Sequence, residues 1–130
     1  MNRITECKLI IILILLIFYV SGCALRSEER AIVSARTLVA EYLKAPSTAQ
    51  YQSTKIIDQS GQYYLVYVIV DAQNSFGAMI RGNYLVCIEL TEGNRFRFNP
   101  NFAVQECSSP PDEMIISMVK RLNGWPEEKT

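Results

Sequence analysis

The side chains with the strongest intrinsic chemistry in this chain are four cysteines, Cys7, Cys23, Cys87 and Cys107, and no histidine accompanies them. A thiol can be acylated, bridged, bound to a metal or used as a nucleophile, and its neighbours decide which. Without histidine there is no Ser-His or Cys-His pair, no histidine general base and no ordinary zinc site. The carboxylates are scattered over helix starts, turns and one strand, with no two at a spacing that implies an acid and a base. Asp71 with Asn74 is too sparse for a calcium loop. The expectation is a protein that is not an enzyme and has no cofactor and no metal.

Cys23 has the most telling surroundings. Leu9 to Val20 (LIIILILLIFYV) is a run without charge or proline, preceded by Arg3 and Lys8 and followed by the small residues Ser21 and Gly22. As a helix the run rises about 18 Å, well short of the roughly 30 Å hydrocarbon core of a bilayer. A basic start, an apolar stretch of this length and small residues at its end compose a secretory signal peptide, predicted here over residues 1–22. The competing reading is an uncleaved anchor extended to about Leu25, at the lower edge of spanning length.

Val20, Ser21, Gly22 and Cys23 together resemble the lipobox of bacterial lipoproteins. The resemblance implies cleavage between Gly22 and Cys23, a diacylglyceryl group on the Cys23 thiol and acylation of the new amino terminus by palmitate or a similar chain. Several chains are needed because each buried methylene contributes only about 0.8 kcal/mol and one acyl chain binds reversibly. Residue two of the mature chain is Ala24 and not Asp, which in bacterial sorting implies the outer membrane, with the domain facing the periplasm. Residues 23–26 then form the lipidated cysteine and a short tether.

The whole chain carries thirteen basic and thirteen acidic residues. Loss of Arg3, Glu6 and Lys8 leaves the remainder close to neutral, with Lys and Arg scattered among Glu. No basic stripe exists to neutralise phosphates, so no nucleic acid is expected as a partner.

Cys7 leaves with the signal and Cys23 is consumed by lipid, so Cys87 and Cys107 remain. In an oxidising periplasm they are candidates for one disulfide, which would close a loop of about twenty residues and stabilise by roughly 3 kcal/mol. The alternative is two independent buried thiols. Their spacing is unlike the Cys-x-x-Cys of redox proteins.

The elements that must position these residues follow from periodicity. Ser27 can cap a helix, with Glu28 and Glu29 in its first turn and Ala31, Ile32, Ala35, Leu38, Val39, Tyr42 and Leu43 as one apolar stripe. Lys44 and Pro46 mark its end. Strands are predicted near 51–58, 62–71, 83–91 and 95–99, the second apolar on both faces and central, the first an edge. A three-residue loop, Glu92-Gly93-Asn94, sets Leu90 opposite Phe96, Glu89 opposite Arg97 and Ile88 opposite Phe98. A second helix follows, with Ser109 as N-cap, Pro110 in its first position, and Trp125 folding back on its last turn.

These elements predict one α+β domain over 27–125: an N-terminal helix, a four-stranded antiparallel sheet and a C-terminal helix, both helices covering one face of the sheet. Residues 126–130 are expected to be a flexible tail.

LKAPSTAQY (Leu43 to Tyr51) and YVIVDAQNSFGAMIRGNYLVCIEL (Tyr67 to Leu90) resemble a pattern in a family of small bacterial proteins, several of them lipoproteins. That pattern is Leu-Lys-x-Pro-Ser-Thr-Ala followed by Val-Asp-x-Gln-Asn-Ser-Phe-Gly-Ala and an arginine, with phenylalanine often where Tyr51 stands. The resemblance implies one folded unit and supplies no catalytic residue. Pro46-Ser47-Thr48-Ala49 reads as a short capped turn rather than an anion site.

DAQNSFGAMIRG (Asp71 to Gly82) is longer than a tight hairpin requires. Asp71, Gln73, Asn74 and Arg81 offer donors and acceptors and Phe76 a ring, so this segment is the candidate recognition loop. Its structural alternative is a self-closed turn in which Asp and Asn bond their own backbone, Gly77 takes a positive φ and Phe76 tucks under. The functional expectation is a lipid-anchored envelope protein that binds something, an envelope protein, peptidoglycan or a foreign hydrolase. Two other classes compete: a structural envelope component whose domain is a spacer, and an exclusion or inhibitor lipoprotein.

Overall fold

The computed structural model describes residues 3–93, 95–107 and 110–127, with side chains at 8–15 and from 27 onward. The Cys23 side chain, and Asn94, Ser109 and residues 128–130 of the tail, lie outside what is described. The chain divides into two units, residues 1–30 and 31–130. One helix, α1 (Arg3–Tyr42), contributes to both.

In the first unit the side chains Leu9 to Leu15 are all exposed. Among the described residues, no helix is long and apolar enough to cross a membrane. Ser27 lies inside α1 and not at its start. The apolar run before it is rich in Leu and Ile and carries no breaker, so helix propagates through the position where only a cleaved chain would need a cap.

The second unit is built on an antiparallel sheet. Its strands are β1 (Gln50–Ser60), β2 (Tyr63–Gln73), β3 (Met79–Thr91), β4 (Arg95–Arg97) and β5 (Val104–Glu106), followed by α2 (Glu113–Leu122). Neighbours run β1-β2-β3-β4, and β5 also pairs with β3. The α+β architecture stands as expected, with a fifth strand that sequence patterning missed. Val-Gln-Glu is too short to alternate, and only its ladder with Tyr84, Leu85 and Val86 defines it.

The β3–β4 register is the expected one, with Leu90 opposite Phe96 and Glu89 opposite Arg97. The Arg97 guanidinium donates to Glu89 Oε2 at 2.7 Å. The pairing stops there. Phe98 leaves the ladder and does not face Ile88, because the Asn99 carbonyl accepts from the Phe102 and Ala103 amides and turns the chain back.

The helices lie on opposite faces of the sheet, which corrects the expectation of a shared face. Residues Ala31, Ala35, Leu38 and Val39 of α1 pack with Tyr64, Val66, Val68, Val70, Tyr84, Val86 and Ile88. Val119 of α2, with Ile115 and Ile116, packs with Leu65, Leu85 and Cys87. The physical reason is in β2 and β3 themselves: Tyr64, Leu65 and Val66 are consecutive and all buried, as are Tyr84 to Ile88. A strand apolar on both sides needs a cover on each. Ala31 and Ala35 let α1 approach closely, and Tyr51 fastens it to β1 by donating its hydroxyl to the Arg36 carbonyl at 3.0 Å. The Arg36 guanidinium in turn stacks 5.0 Å from the Tyr51 ring centre.

Asp112 caps α2, its carboxylate accepting from the Ile115 amide at 2.8 Å, in place of the expected Ser109. Asp is an equally good cap, and it stands directly before the first residue of the helix. At the other end the Trp125 amide donates to Lys120 O and the Gly124 amide to Arg121 O, with Gly124 at φ 70. This Schellman closure brings Trp125 back over the last turn, as expected, with its ring 5.7 Å from that of Tyr63.

Candidate functional site

The candidate site is the tip where β2 turns into β3. The strands run further than expected: Asp71 pairs with Arg81, Ala72 with Ile80 and Gln73 with Met79. The connection therefore shrinks to residues 74–78, a correction to the long loop predicted over Asp71 to Gly82. Alternation was hidden because Gln73, Asn74 and Ser75 read as turn residues while Asp71 and Arg81 read as loop charges. In the ladder those two charges are cross-strand neighbours and satisfy each other.

Four hydrogen bonds close the tip. The Asn74 side-chain oxygen accepts from the Phe76 amide at 2.9 Å and the Ala78 amide at 3.0 Å. The Asn74 amide donates to the Ala78 carbonyl and the Gly77 amide to the Asn74 carbonyl. Gly77 sits at φ 80, which a β-carbon would disfavour. Below the turn the Arg81 guanidinium donates two bonds to Asp71, Nε to Oδ1 at 2.7 Å and Nη2 to Oδ2 at 2.8 Å. Those bonds hold the Asp71 carboxyl below its ordinary range. A further bond comes from outside the hairpin, where the Gln73 amide donates to Thr48 Oγ1 at 2.9 Å. Thr48 belongs to a single 3₁₀ turn, Pro46–Thr48, and its hydroxyl donates to Ala45 O at 2.7 Å.

This arrangement divides the expected recognition residues. Asp71, Arg81 and Asn74 are engaged within the hairpin, and Gln73 is a strand residue whose amide is tied to Thr48. Phe76 stands apart: its side chain is 95% exposed and does not tuck under the turn. Met79 and Ile80 beside it, and Tyr42 at the end of α1, are also about half exposed. A groove of about 190 Å³ runs beneath the tip, lined by Tyr42, Lys44, Gln73, Ile80, Arg81 and Tyr84. Tyr42 was missed as a surface residue because the helical stripe places it with the core, and Ile80 because it fell within the predicted loop without being singled out. Their position at the end of the sheet, past the last cover, leaves them open.

Two larger clefts lie elsewhere. One, of about 410 Å³, is bordered by Tyr63, Glu89, Arg97, Phe98 and Asn123. The other, of about 550 Å³, surrounds Asp58, Lys120 and Trp125. In each, one opposite-charge pair is already made, Glu89 with Arg97 in the first and Asp58 with Lys120 in the second.

Cys87 and Cys107 are free thiols, which corrects the expected bridge. The Cys107 amide donates to the Asn83 carbonyl, so Cys107 lies across from Asn83 on β3. Cys87 is four residues further along that strand, roughly 13 Å at the usual rise, whereas a disulfide needs α-carbons within about 7 Å. Burial pushes the Cys87 thiol up to about 12, so it is not a thiolate at neutral pH. Among the described residues no group of three or more Cys, Asp or Glu could hold a metal. What the tip can do chemically is bind, through an exposed ring on a braced turn beside a groove of mixed polar and apolar lining. Comparison with known protein families, with curated proteins and with solved structures finds no match to this chain.

Proposed function

We propose that this chain is a lipid-anchored cell-envelope lipoprotein whose α+β domain is a binding module, presenting Phe76 to a partner in the periplasm. The observation that carries the binding half is the contrast at the hairpin tip: Phe76 is 95% exposed on a turn whose neighbouring polar groups are bonded to one another. An aromatic ring held out on a rigid turn loses little conformational freedom on docking and brings a large apolar face. The anchor half rests on the sequence Val20-Ser21-Gly22-Cys23 at the end of an apolar run.

Within its unit, Phe76 lies at the end of the sheet reached by the last turn of α1, and the chain enters that unit at the opposite end of the same helical stretch, at Ala31. An exposed tip of this kind suits a module that docks on an envelope protein or peptidoglycan.

The test is in-cell photo-crosslinking from a benzophenone amino acid at position 76 of the full chain, with Val33 on the exposed side of α1 as the control position. A discrete adduct from 76 and none from 33 is the expected result, and mass analysis of that adduct names the partner class. Absence of any adduct from an anchored, folded protein would overturn the binding reading in favour of a spacer domain. Intact mass of the membrane form tests the anchor separately: a chain beginning at Met1, or an unmodified Cys23, removes it.

A further inference from the structure

We infer that α2 is a self-association helix, and that two copies of this chain pair through it in antiparallel fashion about a two-fold axis near Met118. Ile115, Ile116 and Val119 face the sheet. One flank of the helix remains apolar and open: Met114 is 78% exposed, Met118 43% and Leu122 41%. These residues recur at four-residue steps, so they form one ridge along the helix surface. Phe102, 44% exposed, is in a loop held near the end of the helix by the Asn123 side-chain amide, which donates to the Phe102 carbonyl.

The charge pattern selects the occupant. The ridge next to Met114, Met118 and Leu122 is Glu113, Ser117 and Arg121, all exposed. It has an acid at its start, a small residue at its middle and a base at its end. Glu113 and Arg121 form no ion pair within the chain among the described residues. Rotated by 180° onto itself, this ridge sets Glu113 of one copy beside Arg121 of the other, twice, while Ser117 leaves room at the axis. The same rotation sets Met114 against Leu122 of the second copy, apolar side chain against apolar side chain. The two helix dipoles then oppose, and each acid sits at a positive helix end while each base sits at a negative one. A surface complementary to itself under two-fold rotation is what an isologous dimer requires. A parallel arrangement would set Glu113 against Glu113 and Arg121 against Arg121.

The test is disulfide trapping in membranes from cells expressing the full chain, with Cys107→Ala as parent background and Met118→Cys added. Packing of four-residue ridges keeps helix axes about 8–10 Å apart, which brings two residues on the axis within reach of a bridge. The expected result is a cross-linked species of twice the chain mass from Met118→Cys, absent from the parent and from Lys55→Cys on the far edge strand. Glu113→Arg or Arg121→Glu alone should lower the yield roughly tenfold, because each creates two like-charge contacts by symmetry. The double exchange Glu113→Arg with Arg121→Glu should restore it. Damage to the helix itself would add in the double variant, so restoration separates pairing from folding. A yield from Met118→Cys no higher than from Lys55→Cys overturns the proposal, as does a product of any other mass or a double variant that stays low.

Discussion

One hydroxyl joins two segments distant in sequence: Thr48 Oγ1 accepts from the Gln73 amide at 2.9 Å while donating to the Ala45 carbonyl at 2.7 Å. The turn that leaves α1 is thereby bonded to the last residue of β2, directly below the tip that carries Phe76. The segments Leu43 to Tyr51 and Tyr67 to Leu90, noted in the sequence as two separate motifs, are joined by this bond into one structural assembly.

Thr48→Val removes both bonds and leaves the Gln73 amide without its acceptor. Loss of a part-buried backbone partner costs about 1–3 kcal/mol, whereas Thr48→Ser keeps the hydroxyl and should stay within about 1 kcal/mol of the parent. Urea denaturation gives the magnitudes. Amide exchange gives the location, with Gln73 the position whose protection falls most in the valine variant.

Lys120 connects α2 to β1. Its ammonium is paired with the Asp58 carboxylate and lies 5.1 Å from the centre of the Trp125 ring. The bond from Lys120 holds the Asp58 carboxyl below its ordinary value. A carboxyl lowered in the folded state contributes stability that is present above its unfolded value near 4 and is lost as pH falls through its folded value. Asp58→Asn should therefore flatten the acid limb of the stability curve and leave the neutral region less stable than the parent. Trp125 is the only tryptophan. Its emission reports the release directly, and an acid limb identical in both proteins would refute the linkage.

The two thiols should behave independently. Cys87 is 2% exposed and pushed up to about 12 by burial, while Cys107 is half-buried and raised by burial to a lesser depth. At pH 8 an alkylating reagent should label Cys107 first, and Cys87 only as fast as the domain opens. A reductant should leave the melting temperature unchanged. On the alkaline side, a thiol raised in the folded state gives stability that is complete below its unfolded value near 8.5 and declines as pH rises towards about 12. Tyr51 and Tyr84, also raised by burial, act in the same direction. Cys87→Val should remove only the thiol's share, seen as a shallower decline between pH 9 and 11.

Gly82 is required by its neighbour. A β-carbon there would meet the Tyr84 ring at 2.6 Å, and that ring is 8% exposed against α1. Gly82→Ala should displace it and destabilise by about 1–3 kcal/mol, the usual cost of an extra methyl in a packed site. Tyr84 side-chain resonances that stay in place would contradict this.

Much of the local structure was legible from residue order. The Glu89–Arg97 pairing and the three-residue turn before it could be read because hairpin partners lie within a few residues and alternation leaves one consistent register. The fold of Trp125 onto α2 was legible for the same reason. The hairpin tip was legible in kind and not in extent: Gly77 and Asn74 marked a turn, but only the facing strand showed that Asp71 and Arg81 belong to the ladder.

The sequence by itself determined the two helices of the domain and four of its five strands, that β2 is central, and that the apolar run ends just before Cys23 in a small-residue context. Composition and short-range periodicity carry that information, because each such preference is decided within a turn or two of the residue concerned. The tertiary structure alone decided that α1 and α2 cover opposite faces, that Val104–Glu106 completes the sheet, and that Cys87 and Cys107 stand too far apart to bridge. It also decided that Phe76 points into solvent. Those outcomes depend on which distant segments meet, and burial on two faces of one strand constrains their number without saying which segment supplies each cover.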